Sequence, residues 1–210
     1  MHAQVLLLLE NQKNKKIIIF ILSSIPAIYT LIFINTFGVN IPFWDDWTVV
    51  PFLNSSLNGD SQWFEILFSQ HNEHRLVFPR LIFLINSVLT SWNQIAQMYL
   101  SWILIGTSIT ALYLLLKRFQ MNFEWLIIPI SFIMYSPIQV ENLLWGFQVQ
   151  WFLMISCLLW SLYFLNRGTF LSIVPAIIFA IISSFSLILG LIIWPIGLLS
   201  LFLRKNNKLK

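Results

Sequence analysis

Apolar runs of nearly bilayer-spanning length recur at 17–37, 95–116, 151–165 and 170–203. They leave few options for the fold. A helix needs about 20 apolar residues to cross the hydrocarbon core. Backbone N–H and C=O groups in lipid must pair within the segment, so runs of this length are read as helices. Charged residues make up only 10% of the chain and mean hydropathy is +0.80. These values predict an all-α, polytopic integral membrane protein built as one membrane domain over 1–210.

The first run follows Lys13, Lys15 and Lys16 and is longer than the core of a signal peptide. No A-x-A-like cleavage site follows it, so 17–37 reads as a retained first transmembrane helix. Pro26 inside it is tolerable where neighbouring helices re-satisfy the backbone. Residues 38–94 read as a large external loop. Pro42 and Pro51 bracket W-D-D-W at 44–47, which predicts a short turn or one-turn helix. Over 61–68, Trp63, Phe64, Leu67 and Phe68 follow helical spacing beside polar residues, as in an interfacial amphipathic helix. The run 76–89 is short and carries Pro79 and Arg80, so it is expected to be interfacial or re-entrant.

Five further spans are expected over 95–203: 95–116, a segment around 123–135, 151–165, and two from 170–203 with a tight turn at 183–187. This six-span arrangement places ten of the 12 Lys and Arg residues on one side. By the positive-inside rule that side, with both termini, is cytoplasmic. The basic residues flank apolar runs, so the net charge of +4 is explained by topology and predicts no nucleic-acid partner. The single cysteine, Cys157, lies in an apolar run and excludes a disulfide framework or a CxxC metal site.

Polar chemistry is concentrated at 44–75. Five of the eight acidic residues fall there (Asp45, Asp46, Asp60, Glu65 and Glu73), with His71 and His74. Adjacent acids in a loop are ordinarily just solvated. Asp45 and Asp46, however, lie between Trp44 and Trp47 at the membrane surface, where partial desolvation raises a carboxyl pKa. That makes either acid a candidate general base. Hard carboxylate oxygens also suit a divalent cation at Asp45 and Asp46, which His71 and His74 could join. The run His71, Glu73, His74, Arg75 is readable as a polar helix start with Asn72 as N-cap. It is equally readable as a site in which Arg75, with Arg80, grips a phosphate through the guanidinium fork. A second polar segment, with Glu141, Asn142, Gln148 and Gln150 broken by Leu and Trp, is expected to dip towards the membrane and line a cavity.

A first transmembrane helix followed at once by an external loop carrying Asp45-Asp46, amphipathic helices and the polar His71–Arg75 segment resembles the GT-C superfamily of membrane glycosyltransferases. The bacterial branch of protein mannosyltransferases and lipid A aminoarabinose transferases is the nearest likeness. The resemblance spans about 17–200 and corresponds to the N-terminal half of such enzymes, whose members are longer. It implies sugar transfer from a polyprenyl-phosphate donor at the external face of a bacterial inner or plasma membrane. Asp45 or Asp46 would be catalytic. His71, Glu73, His74, Arg75, Arg80, Glu141, Asn142 and Gln148 would hold substrate. A second membrane subunit completing the fold is a further expected partner. The runner-up reading is a non-catalytic subunit, a lipid-linked-sugar flippase component or an inactive fragment.

Overall fold

In the computed structural model, which describes residues 2–119 and 123–207, regular structure is helical. The described residues form ten α-helices, with 3-10 turns in some of the connections: α1 (His2–Phe37), α2 (Val50–Leu57), α3 (Trp63–Phe68), α4 (Val77–Thr90), α5 (Gln94–Arg118), α6 (Ile127–Met134), α7 (Val140–Leu143), α8 (Val149–Arg167), α9 (Phe170–Ser184) and α10 (Ile193–Asn207). Among the described residues the only β pairing is an isolated bridge between His71 and His74.

Among the described residues, four stretches are long and apolar enough to cross a membrane: Asn14–Phe37, Gln94–Arg118, Glu124–Leu143 and Gly146–Arg167. The chain is an all-helical membrane protein. The stretches Val77–Thr90, Phe170–Ser184 and Ile188–Phe202 are apolar but shorter. Two boundaries differ from expectation. Helix α1 begins at His2, well before the apolar run, because the basic segment continues the helical hydrogen bonding. The third stretch extends to Leu143 through a 3-10 turn at Pro137–Gln139, so Glu141 and Asn142 lie on helix.

Asn93 starts α5 by accepting from the N–H groups of Ile95 and Ala96, which relieves two of the helix's unpaired donors. At the other end, Arg118 donates to the carbonyls of Asn166 (2.7 Å) and Arg167 (3.0 Å). This ties the C-terminus of α5 to that of α8 and occupies the last-turn carbonyls that a helix leaves unpaired. Helices α1 and α6 are joined through Thr30 and the carbonyl of Tyr135, and by Ser131 donating to the carbonyl of Ser23 at 2.6 Å.

The segment between α1 and α5 is docked on the bundle. Its apolar side chains Val49, Phe52, Leu53, Leu67, Leu76, Val77 and Phe83 form one buried cluster with Phe147 and Val149 at the start of α8. Each large buried side chain of this kind is worth about 1.5–3 kcal/mol. The loop is therefore held against the same end of the bundle from which the 144–150 segment emerges.

Candidate functional site

Trp44–Val49 forms the expected short helical turn, of 3-10 type. Asp46 sits three residues into it and reaches back, its Oδ2 accepting from the Phe43 N–H at 2.9 Å, while its own N–H donates to the Phe43 carbonyl. The same oxygen accepts from the Trp145 indole N–H at 3.0 Å. Asp46 is 1% exposed, and burial raises its carboxyl pKa above the ordinary value. The Trp145 bond couples the loop to the second polar segment, so Asp46 holds the site together from behind. Asp46→Ala is expected to lower the unfolding temperature, leaving the Phe43 N–H without its acceptor at about 1–3 kcal/mol. Asp46→Asn keeps an acceptor and should unfold close to the parent. Thermal unfolding of the solubilised protein checks both.

His71 to His74 is not the start of a helix. The His71 N–H donates to the His74 carbonyl at 2.8 Å and the His74 N–H returns to His71 at 2.9 Å, closing a two-residue turn. Asn72 occupies it with φ +50°, a left-handed conformation that asparagine tolerates better than most residues. The turn brings both histidines to one place. His74 accepts from the Ile188 N–H through Nδ1 at 3.3 Å, which leaves Nε2 for the site. His71 Nε2 lies 3.9 Å from Asp45 Oδ2. Burial lowers the His71 pKa and the Asp45 charge partly opposes that, so the imidazole is neutral at neutral pH.

These groups line a cavity of about 290 Å³. Asp45, His71, His74, Gln148 and Gln150 supply polar groups, and Trp44, Trp145, Phe147 and Trp151 supply aromatic walls. Trp44 and Trp145 stack at 6.1 Å and 9°, and Trp145 and Phe147 at 5.8 Å and 26°. Trp44 takes φ +46°, a strained backbone for a bulky residue, which the stack and the loop packing hold in place.

The other expected residues separate from this cavity. Arg80 is buried at 7% exposure, and its Nη1 donates to the carbonyls of Ile66, Leu67 and Ser69 at 2.7–2.9 Å. It caps the C-terminus of α3 and braces α4 against it. Glu73, the second residue of the turn, and Arg75, just after it, are exposed. Glu141 lines an adjoining cavity, and Asn142 is half-buried on α7. The two acids do not meet as a pair of cation ligands in this cavity, because Asp46 does not line it and its Oδ2 already takes two donors. Among the described residues no group of three or more His, Cys, Asp and Glu side chains is placed to hold a metal.

Sequence reasoning passed over Gln94 and Gln97, each 1% exposed on α5. A methyl group on Gly146 would meet their Oε1 atoms at 2.4 and 2.9 Å, so the glycine lets the turn at Gly146–Gln148 pack closely onto α5. Their i, i+3 spacing within the span was the available signal. Trp151 was likewise absorbed into an apolar run. Comparison with protein-family models, with characterised proteins and with solved structures finds no match to this chain.

Proposed function

We propose that the chain is a membrane glycosyltransferase-like protein that transfers a sugar from a polyprenyl-phosphate donor to a hydroxyl acceptor at the external face. The observation that carries this reading is the convergence of Asp45, His71 and His74 on one aromatic-walled cavity at the loop end of the bundle. Asp45, half-buried beside a neutral histidine, is suited to accept the acceptor's hydroxyl proton. The acceptor oxygen then bonds to the anomeric carbon as the bond from that carbon to the phosphate oxygen breaks. The polyprenyl phosphate leaves with the electron pair. We assign the departing phosphate to Arg75 by charge and by its fork; it follows His74 in sequence and is exposed outside the cavity lining. Trp44 and Trp145 offer flat faces for the sugar ring. The test is transfer of radiolabelled sugar from a synthetic polyprenyl-phosphate donor by the reconstituted chain. Absence of transfer with every donor sugar, in a folded preparation, overturns the reading.

The reading includes six spans, with α9 and the segment Ile188–Phe202 as the last two and both termini cytoplasmic. Each is about 22 Å long at 1.5 Å per residue, so they cross only with local thinning of the bilayer or with flanking residues included. Cysteines introduced at Asp60 and Glu141, in a chain whose buried Cys157 is replaced, should react with an impermeant thiol reagent from outside. One at Lys117 should not. Outside labelling at Lys117 would reverse the assignment.

A further inference from the structure

A second cavity, of about 340 Å³, lies on the Trp44–Trp145 pair and is lined by Phe43, Trp44, Val140, Glu141, Leu144 and Trp145. Its walls are three aromatic rings in two orientations. Trp44 and Trp145 are nearly parallel, and Phe43 stands edge-on to both, at 82° and 78°. Trp44 is 72% exposed, a large apolar area for a side chain held in a strained backbone conformation. Hydrogen-bonding capacity in the lining is sparse. The Trp145 indole N–H is already given to the Phe43 carbonyl and Asp46. Glu141 is the one ionisable residue there, and its side chain is exposed.

This inventory selects among ligand classes. A phosphate or carboxylate would face the Glu141 carboxylate with no cation in the lining. A sugar ring needs several hydrogen-bond partners, and the lining has few uncommitted ones. An ammonium nitrogen sheathed in alkyl carbons suits it, because aromatic faces attract cations through the ring quadrupole and a carboxylate supplies the counter-charge. The cavity also sits where the Glu124–Leu143 stretch ends, and tryptophans near the end of a membrane-length helix favour the headgroup level.

We propose that this cavity binds an alkylammonium group, held against Trp44, Trp145 and Phe43 and neutralised by Glu141. The ammonium can arrive free in solution or on a zwitterionic lipid headgroup. This cavity shares Trp44 and Trp145 with the first but none of Asp45, His71 and His74, and the proposal is read out by binding alone, so it stands or falls apart from sugar transfer.

The test uses the full chain in phosphatidylglycerol nanodiscs, titrated calorimetrically with choline and with 3,3-dimethylbutan-1-ol, its uncharged carbon isostere. Choline is expected to bind about tenfold or more tightly than the alcohol, and Glu141→Gln to weaken choline by about tenfold. Trp44→Leu should abolish binding. Glu141 is exposed, so its variant tests the charge even if Trp44→Leu fails to fold. Native mass spectrometry after mixed-lipid reconstitution identifies the source. Retention of phosphatidylcholine or phosphatidylethanolamine over phosphatidylglycerol, lost in Glu141→Gln, makes the ammonium lipid-borne and sustains the proposal even without choline binding. Equal binding of choline and the alcohol shows only an apolar pocket and overturns it. So does unchanged binding in Glu141→Gln, or the absence of any preference for choline and for ammonium lipids.

Discussion

Asp45→Asn is expected to reduce sugar transfer by about 10²–10⁴-fold, the range supplied by a positioned general base, while the protein accumulates and inserts as the parent does. Asp45 is half-buried, and its carboxylate approaches His71 at 3.9 Å. Substitutions at such positions usually stay within about 0.5 kcal/mol of the parent. Donor binding should persist, so the loss falls on the chemical step. The same contact sets a pH dependence. The folded-state pKa of His71 lies below its ordinary value of 6.5, so the imidazole is neutral at neutral pH and becomes cationic only in more acid solution. Once charged it pairs with Asp45 and competes for the base, and transfer should fall on the acid side. Stability has the same sign. The unfolded chain takes up this proton first, so the His71 contribution is present above about pH 6.5 and is lost as pH falls through the ordinary value towards the folded one. In His71→Gln the acid limb of the pH–rate profile should move or disappear. An unchanged limb removes His71 from the pH dependence, and full transfer in Asp45→Asn removes Asp45 from the chemistry.

Gly190→Ala is expected to be among the most damaging single methyl additions. A Cβ there would meet the Ser183 carbonyl oxygen at 2.0 Å and its carbon at 2.4 Å, both backbone atoms that cannot swing aside. Ser183 is fully buried, and its hydroxyl donates to the Met154 carbonyl on α8 at 3.0 Å. Its own carbonyl accepts from the N–H groups of Ser186 and Leu187. Relief therefore requires moving the α9–α10 connection away from α8. Overpacking of this kind costs about 1–3 kcal/mol, at the upper end where backbone must shift. Because Ile188 follows this turn and donates to His74, the displacement should also disturb the first cavity. Thermal unfolding in detergent measures the loss. A parental unfolding temperature in Gly190→Ala would show that the connection is looser than its packing here.

Much of the fold was legible in the sequence because the signals are local. Apolar length marks the long helices, and the prolines around W-D-D-W mark a short turn. The break after Ser184 follows the expected interruption near 183–187, where three serines and a change of backbone direction coincide. The count of spans was less legible, since α9 has 15 residues and apolar composition alone does not say whether so short a helix crosses.

What the sequence by itself determined is that this is a helical membrane protein with its polar chemistry gathered into two segments. Only the tertiary structure decided which of those polar residues meet. Asp45 and Asp46 are neighbours in sequence, yet successive side chains on a helical turn point in different directions, so one lines the cavity and the other is buried against Trp145. Arg75 and Arg80 look alike as phosphate ligands, but Arg80 is consumed by the carbonyls ending α3, a partner 11–14 residues away in sequence. Trp145 and Phe147 become walls of the site because the loop's apolar cluster closes over the start of α8. Contacts of that range carry no local signature, because they depend on how whole elements pack rather than on spacing within any one of them.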